Sequence, residues 1–177
     1  MRIVSICGIW SGLFKASMWN NMEEAFREQF PKAIFTRESL RYSPWEVQKI
    51  ISYARDITER NDDGTDLLFV GHSMGGVIAC AVAAHCVKSK VKAVVTVFSP
   101  HKLLGSYYTR QIVGNLSLPV STPLITFQAR FDHLVPFESS THPCSKFHLK
   151  LNSDHLLSLI VLKRHWRTIA FYTRCNM

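Results

Sequence analysis

No run of about 18 consecutive apolar residues occurs in this 177-residue chain, which argues against a membrane-spanning helix. The N-terminal MRIVSICGIW carries one basic residue, but it lacks a full-length apolar region and a small-residue cleavage site, so we read it as a strand rather than a signal peptide. No C-x-x-C pair is present, and the five cysteines (Cys7, Cys80, Cys86, Cys144, Cys175) are odd in number. That pattern disfavours a disulfide framework or a cysteine-held metal, and it points to buried free thiols in a reducing, cytoplasmic setting. Repeats, linkers and low-complexity tracts are likewise missing, which leaves a single domain over residues 1–177.

Acidic residues are the scarcer charge, 13 against 21 Lys and Arg, giving a formal charge of +8. Basic residues gather toward the C-terminus, in Lys163-Arg164-His165-Trp166-Arg167 and Arg174. The plain reading is a solvated basic face. A weak attraction to an anionic membrane surface is the second reading, and no nucleic acid is expected. With 47% hydrophobic and 19% charged residues the chain has ample material for one core. Oligomeric state is not legible.

What is present is an alternation of strand and helix patterns. Strands are expected at 2–7, 33–36, 67–71, 91–98, 124–129 and 146–151. Amphipathic helices are expected at 17–30, after Ser43-Pro44-Trp45-Glu46 (read as a capping box), and at 154–172; 102–122 reads as at most one short helix. Such alternation predicts a three-layer α/β/α sandwich around a mostly parallel six-stranded sheet, with little or no lid. Ligands of such sheets sit at the carboxyl ends of the strands, where strand order reverses.

The chain is organised around 66–87, DLLFVGHSMGGVIACAVAAHCV. An apolar strand pattern runs directly into an alanine-rich helix pattern through Gly71-His72-Ser73-Met74-Gly75. This is G-x-S-x-G in the strand–turn–helix context that gives it meaning: a tight turn, cleared by small flanking residues, pushes the serine out. Chance alone yields the pattern on the order of once in thirty chains of this composition, so its context and partners matter. The N–H of Met74 opens the helix and faces the position where an attacked carbonyl would gain negative charge. His72 is expected to point away from the site by strand alternation.

A serine hydroxyl needs a base, and the base needs an orienting group. Asp132 follows the fifth predicted strand and His155 the sixth, in the order serine, acid, histidine. Glu138 is the alternative acid, and His133, His142 and His148 are the competing histidines. Asp154 reads as a helix N-cap. The loop Gly8-Ile9-Trp10-Ser11-Gly12 after the first strand offers further backbone donors.

These features, GHSMGG at 71–76, VVTVFSPH at 94–101, RFDHLVP at 130–136 and SDHLLSL at 153–159, resemble the α/β-hydrolases, most closely small lipases and esterases. The resemblance implies Ser73 as nucleophile, Asp132 as acid and His155 as base, with an oxyanion hole made by the N–H groups of Met74 and Ile9, or Trp10 in place of Ile9. It implies a serine hydrolase acting on a small-molecule or lipid carboxylic ester, without metal or organic cofactor. Trp10, Leu103 and Leu134 are candidate substrate-binding residues, with Phe14, Met74, Tyr107 and Tyr108 available for the same apolar wall. A thioesterase or amidase with the same three residues, or a non-catalytic binding protein on the same fold, are the alternatives. Cys7-Gly8 stands where the family usually has His-Gly, a departure that bears on the loop's geometry.

Overall fold

The computed structural model describes residues 1–8, 15–38, 46–101, 122–135, 139–155, 159 and 163–177. Six strands form one sheet: β1 (Arg2–Ile6), β2 (Ile34–Glu38), β3 (Leu67–His72), β4 (Val91–Val97), β5 (Leu124–Ala129) and β6 (Ser145–Leu151). Their order is β2-β1-β3-β4-β5-β6, and every neighbouring pair is parallel. The reversal of order falls between β1 and β3, where a ligand crevice is expected.

Both faces of the sheet's centre are covered because β1, β3 and β4 carry apolar residues in almost continuous runs, leaving no face fit for water. On one face lie α1 (Lys15–Gln29) and α4 (Lys163–Asn176). Met18, Trp19, Met22, Ala25 and Phe26 of α1 recur at helical spacing, and they meet Trp166, Ile169 and Ala170 of α4 over Ile3, Leu68, Val95 and Phe127. The Trp19 and Trp166 rings are both buried, with centroids 6.1 Å apart.

On the other face lie α2 (Val47–Asn61) and α3 (Met74–His85). Helix α2 is amphipathic and turns Val47, Ile50, Ala54 and Ile57 inward. Helix α3 is apolar on all sides because it is enclosed between α2 and the strands; its residues from Met74 to Ala83 are all buried.

Turn chemistry fixes the connection into β3. Asn61 closes α2, Asp62 caps it through its N–H to the Thr58 carbonyl (2.8 Å), and Gly64 takes φ +91°. The Asp62 carboxylate accepts N–H bonds from Val87 (2.8 Å), Lys88 (3.0 Å) and Ser89 (2.6 Å), holding the α3–β4 loop against the end of α2. Burial pushes the Asp62 carboxyl up, but these three N–H groups and the Ser89 side chain together hold it below its ordinary value.

Several expectations need adjustment. Glu46 stands at the N-cap of α2 without a side-chain capping bond, while Ser43, Pro44 and Trp45 lie outside the described residues. The closing helix does not start at Asp154: Asp154 and His155 are in irregular backbone, Leu159 is helical, and α4 is described from Lys163 on to Asn176, beyond Tyr172. In the basic C-terminal cluster Arg164, Arg167 and Arg174 are exposed. Lys163 pairs with Glu24 and Arg167 with Glu28 (2.8 Å) across the α1–α4 seam, while Trp166 and His165 are buried. The cysteines are free thiols as expected, although only Cys7 and Cys80 are buried and Cys144 and Cys175 are exposed. Among the described residues no helix is long and apolar enough to cross a membrane.

Candidate active site

Ser73 occupies the single residue between β3 and α3, with φ 54° and ψ −130°. A positive φ is rare for a side chain larger than glycine and costs on the order of 1–3 kcal/mol, so it persists only where neighbours dictate it. They do so here. The Ser73 N–H bonds to the Val97 carbonyl (2.9 Å), tying the turn to β4, and the Ser73 carbonyl accepts from the Gly76 N–H (3.0 Å). A Cβ on Gly71 would run into the backbone of Gly75 and Gly76, and one on Gly75 into the carbonyls of Ile6 and Cys7. Glycine at these two places therefore lets α3 start hard against β1 and β3. Met74, the first residue of α3, is buried, and its N–H lies in the first helical turn beside Ser73.

The β1 loop approaches from the other side of the switch point. A Cβ on Gly8 would lie 2.7 Å from the Ser73 Cβ and 3.3 Å from its Oγ, so the Gly8 backbone stands directly against the serine. The departure at Cys7 leaves this approach intact because the Cys7 side chain points into the core. Its sulfur accepts the Trp19 Nε1–H (3.0 Å) and its thiol lies 3.4 Å from the Glu38 carbonyl.

Asp132 and His155 come together as the sequence leads one to expect. Asp132 sits in the turn after β5, where its Oδ1 accepts the N–H groups of Leu134 (2.9 Å) and Val135 (2.8 Å). Its Oδ2 lies 2.6 Å from His155 Nδ1. The two side chains are 3% and 10% exposed, so water does not compete for this contact. With Nδ1–H donating to the carboxylate, Nε2 of His155 is the nitrogen left to take a proton. Among the described residues the Ser73 hydroxyl and His155 share no hydrogen bond; such contacts are often long in unliganded sites.

The rival histidines are engaged elsewhere. His133 is exposed. His142 packs on His101, with ring centroids 5.2 Å apart, and His148 meets Thr126 Oγ1 (2.7 Å) and Gln128 (3.2 Å). Burial, followed by the charges of His142 and His148, pushes His101 down to about 3, so it is neutral. Of the candidate substrate-binding residues, Leu134 is 63% exposed on the Asp132 turn. Ile9, Trp10, Phe14, Leu103, Tyr107, Tyr108 and Glu138 lie outside the described residues.

The expectation for His72 is wrong. Its ring is buried and packs on the His155 ring, centroids 5.1 Å apart, and its Nε2 lies 2.9 Å from the His155 carbonyl. Strand alternation does assign His72 to one face of the sheet, but the segment after β6 folds back over the strand ends on that side and delivers His155 to it. Burial, then the neighbouring charge of His155, pushes the His72 imidazole down to about 3.

A parallel sheet of this order, with a strained serine turn after β3 and an Asp–His pair beyond β5 and β6, has the α/β-hydrolase fold, and comparison with known proteins agrees. The family described as the PGAP1-like alpha/beta domain matches residues 32–114, from just before β2 through the serine turn and β4. Est1E from Butyrivibrio proteoclasticus superposes with a TM-score of 0.66 at 15% identity, covering 99% of this chain and 88% of that one. The monoacylglycerol lipase of Paleococcus ferrophilus gives 0.62 at 12% identity (99% and 95%), and the metagenomic carboxyl esterase MGS0156 gives 0.63 at 15% (99% and 75%). A search of curated protein sequences finds no match.

Proposed function

We propose that this chain is a serine hydrolase that cleaves carboxylic esters, with Ser73 as nucleophile, His155 as general base and Asp132 as the group that orients it. The observation that carries this reading is the shielded 2.6 Å contact between Asp132 and His155, reached from strand ends next to a serine held at positive φ. Residue 72, immediately before the serine, touches both the ring and the main chain of His155, so the nucleophile and the pair belong to one neighbourhood.

In the first step the Ser73 hydroxyl passes its proton to Nε2 of His155 as Oγ bonds to the ester carbonyl carbon. The negative charge that develops on the carbonyl oxygen is met by the N–H of Met74, at the positive end of α3, and by an N–H of the β1 loop, assigned to Ile9. Collapse breaks the C–O bond, and His155 returns the proton to the leaving alcohol. Water then attacks the acyl-serine with His155 again as base, releasing the acid. The esterase and lipase neighbours, and ferulic acid bound to Est1E, support a small carboxylic ester as the substrate class.

The test is a panel of chromogenic esters of increasing acyl length, with a thioester and an anilide of matched acyl group, offered to wild type and to Ser73→Ala. Turnover is expected for wild type alone, together with labelling of Ser73 by a fluorophosphonate. Equal rates for the two proteins would end the enzyme reading.

A further inference from the structure

His72 has no part in the chemistry above, yet it is a buried, ionisable side chain touching the proposed base. Strands β3 and β6 are separated by β4 and β5 in the sheet, so the segment after β6 must reach back across two strand ends to present His155. One of the contacts that ends this reach is a hydrogen bond between Nε2 of His72 and the main-chain carbonyl of His155 (2.9 Å). Phe98, itself at φ 54°, closes the contact, with its ring 6.1 Å from His72 and 6.3 Å from His155.

We propose that His72 is a positioning residue: by donating Nε2–H to the His155 carbonyl and packing its tilted ring against the His155 ring, it fixes where the His155 imidazole stands relative to Ser73. This inference rests on the hydrolase reading. A carbonyl only accepts, so Nε2 carries the hydrogen and the neutral ring leaves Nδ1 bare. Burial keeps that ring neutral throughout the range in which an esterase works. The bond to Asp132 fixes His155 at Nδ1 alone, which leaves the ring free to swing about that point. The bond from His72 fixes the main chain of the same residue, and two anchors set the position of Nε2. A displacement of about 1 Å at such a nitrogen costs on the order of 10²-fold in rate.

The experiment measures the second-order rate of Ser73 labelling by a small fluorophosphonate, per folded molecule, for wild type, His72→Gln, His72→Asn and His72→Phe. The same samples are examined by proton NMR for the downfield Nδ1–H signal of His155. Glutamine places an amide N–H near the position of Nε2, so His72→Gln is expected within about 3-fold of wild type with the signal retained. Asparagine is amide-bearing but too short, and phenylalanine fills the space without a donor. Both are expected to label at least about 30-fold more slowly, with a broadened or shifted signal. If His72→Phe does not fold, the Gln and Asn pair decides. Equal labelling of Gln and Asn variants, or wild-type rates in Asn and Phe variants whatever their melting temperatures, overturns the positioning role and leaves the hydrolase reading standing. An unlabelled wild type overturns both.

Discussion

Asp132 does two jobs with two oxygens, and Asp132→Asn separates them. Oδ1 holds the turn by accepting the Leu134 and Val135 N–H groups; Oδ2 faces Nδ1 of His155. Asparagine keeps the turn if its oxygen takes the Oδ1 position, because the opposite orientation sets an NH₂ against two N–H donors. The amide NH₂ then faces His155, whose Nδ1 has to become an acceptor. The hydrogen moves to Nε2, and the nitrogen that should accept the Ser73 proton is already occupied. A wrong tautomer of this kind in a serine hydrolase lowers kcat by about 10⁴-fold, equivalent to about 5 kcal/mol of barrier. Stability changes little, by less than about 1 kcal/mol, since both turn bonds survive. Asp132→Ala by contrast loses those two bonds and strands a buried imidazole, with an expected cost of about 2–4 kcal/mol. The assay is kcat on a chromogenic ester at a pH where histidine is neutral, normalised to folded protein by near-ultraviolet circular dichroism, with urea unfolding alongside. Retention of more than about a tenth of wild-type kcat by Asp132→Asn would refute the reasoning, because Asp132 would then not be selecting the working tautomer.

Two further predictions concern neighbours of the site and the fold that carries it. Gly8→Ala places a methyl 2.7 Å from the Ser73 Cβ and 3.3 Å from its Oγ, so fluorophosphonate labelling is expected to fall by at least about 10²-fold while far-ultraviolet circular dichroism is retained; unchanged labelling would show that the β1 loop does not abut the nucleophile. Asp62→Asn weakens the clasp on Val87, Lys88 and Ser89 and is expected to cost about 2–3 kcal/mol in urea unfolding at neutral pH. Because the folded-state value of Asp62 lies below its ordinary one, the wild-type advantage is fully present above the ordinary carboxylate range and disappears as pH falls through the lowered folded value, so the two proteins should converge in acid. A difference that does not depend on pH would refute the charge-based account.

Strand ends and the serine turn were readable because each rests on a local rule. Leu124–Ala129 lies between Pro123 and Arg130, and Ser73 lies at the one place where a buried strand pattern meets a helix pattern through glycines. Asp132 and His155 were readable as a pair because each follows a strand that the parallel sheet brings to the same rim. The role of His72 was not, since alternation says which face a side chain takes and nothing about which segment crosses that face. The same limit hid the pairing of Lys163 and Arg167 with Glu24 and Glu28: nothing local in the basic run tells that a helix from the start of the chain lies alongside it. The closing helix was read as starting at Asp154, whereas Asp154 and His155 lie in irregular backbone and His155 is held by Asp132.

Strand β6, described above only as the last of the sheet, forms one border of it. Its residues Lys146, His148 and Lys150 are exposed and, among the described residues, no strand pairs with its outer edge, so an incoming strand would meet two ammonium groups. Like charges would face each other across any edge-to-edge contact, which guards this border against sheet extension and aggregation. Neutralising both lysines, as in Lys146→Thr with Lys150→Thr, would remove that guard without touching the Asp132–His155 contact.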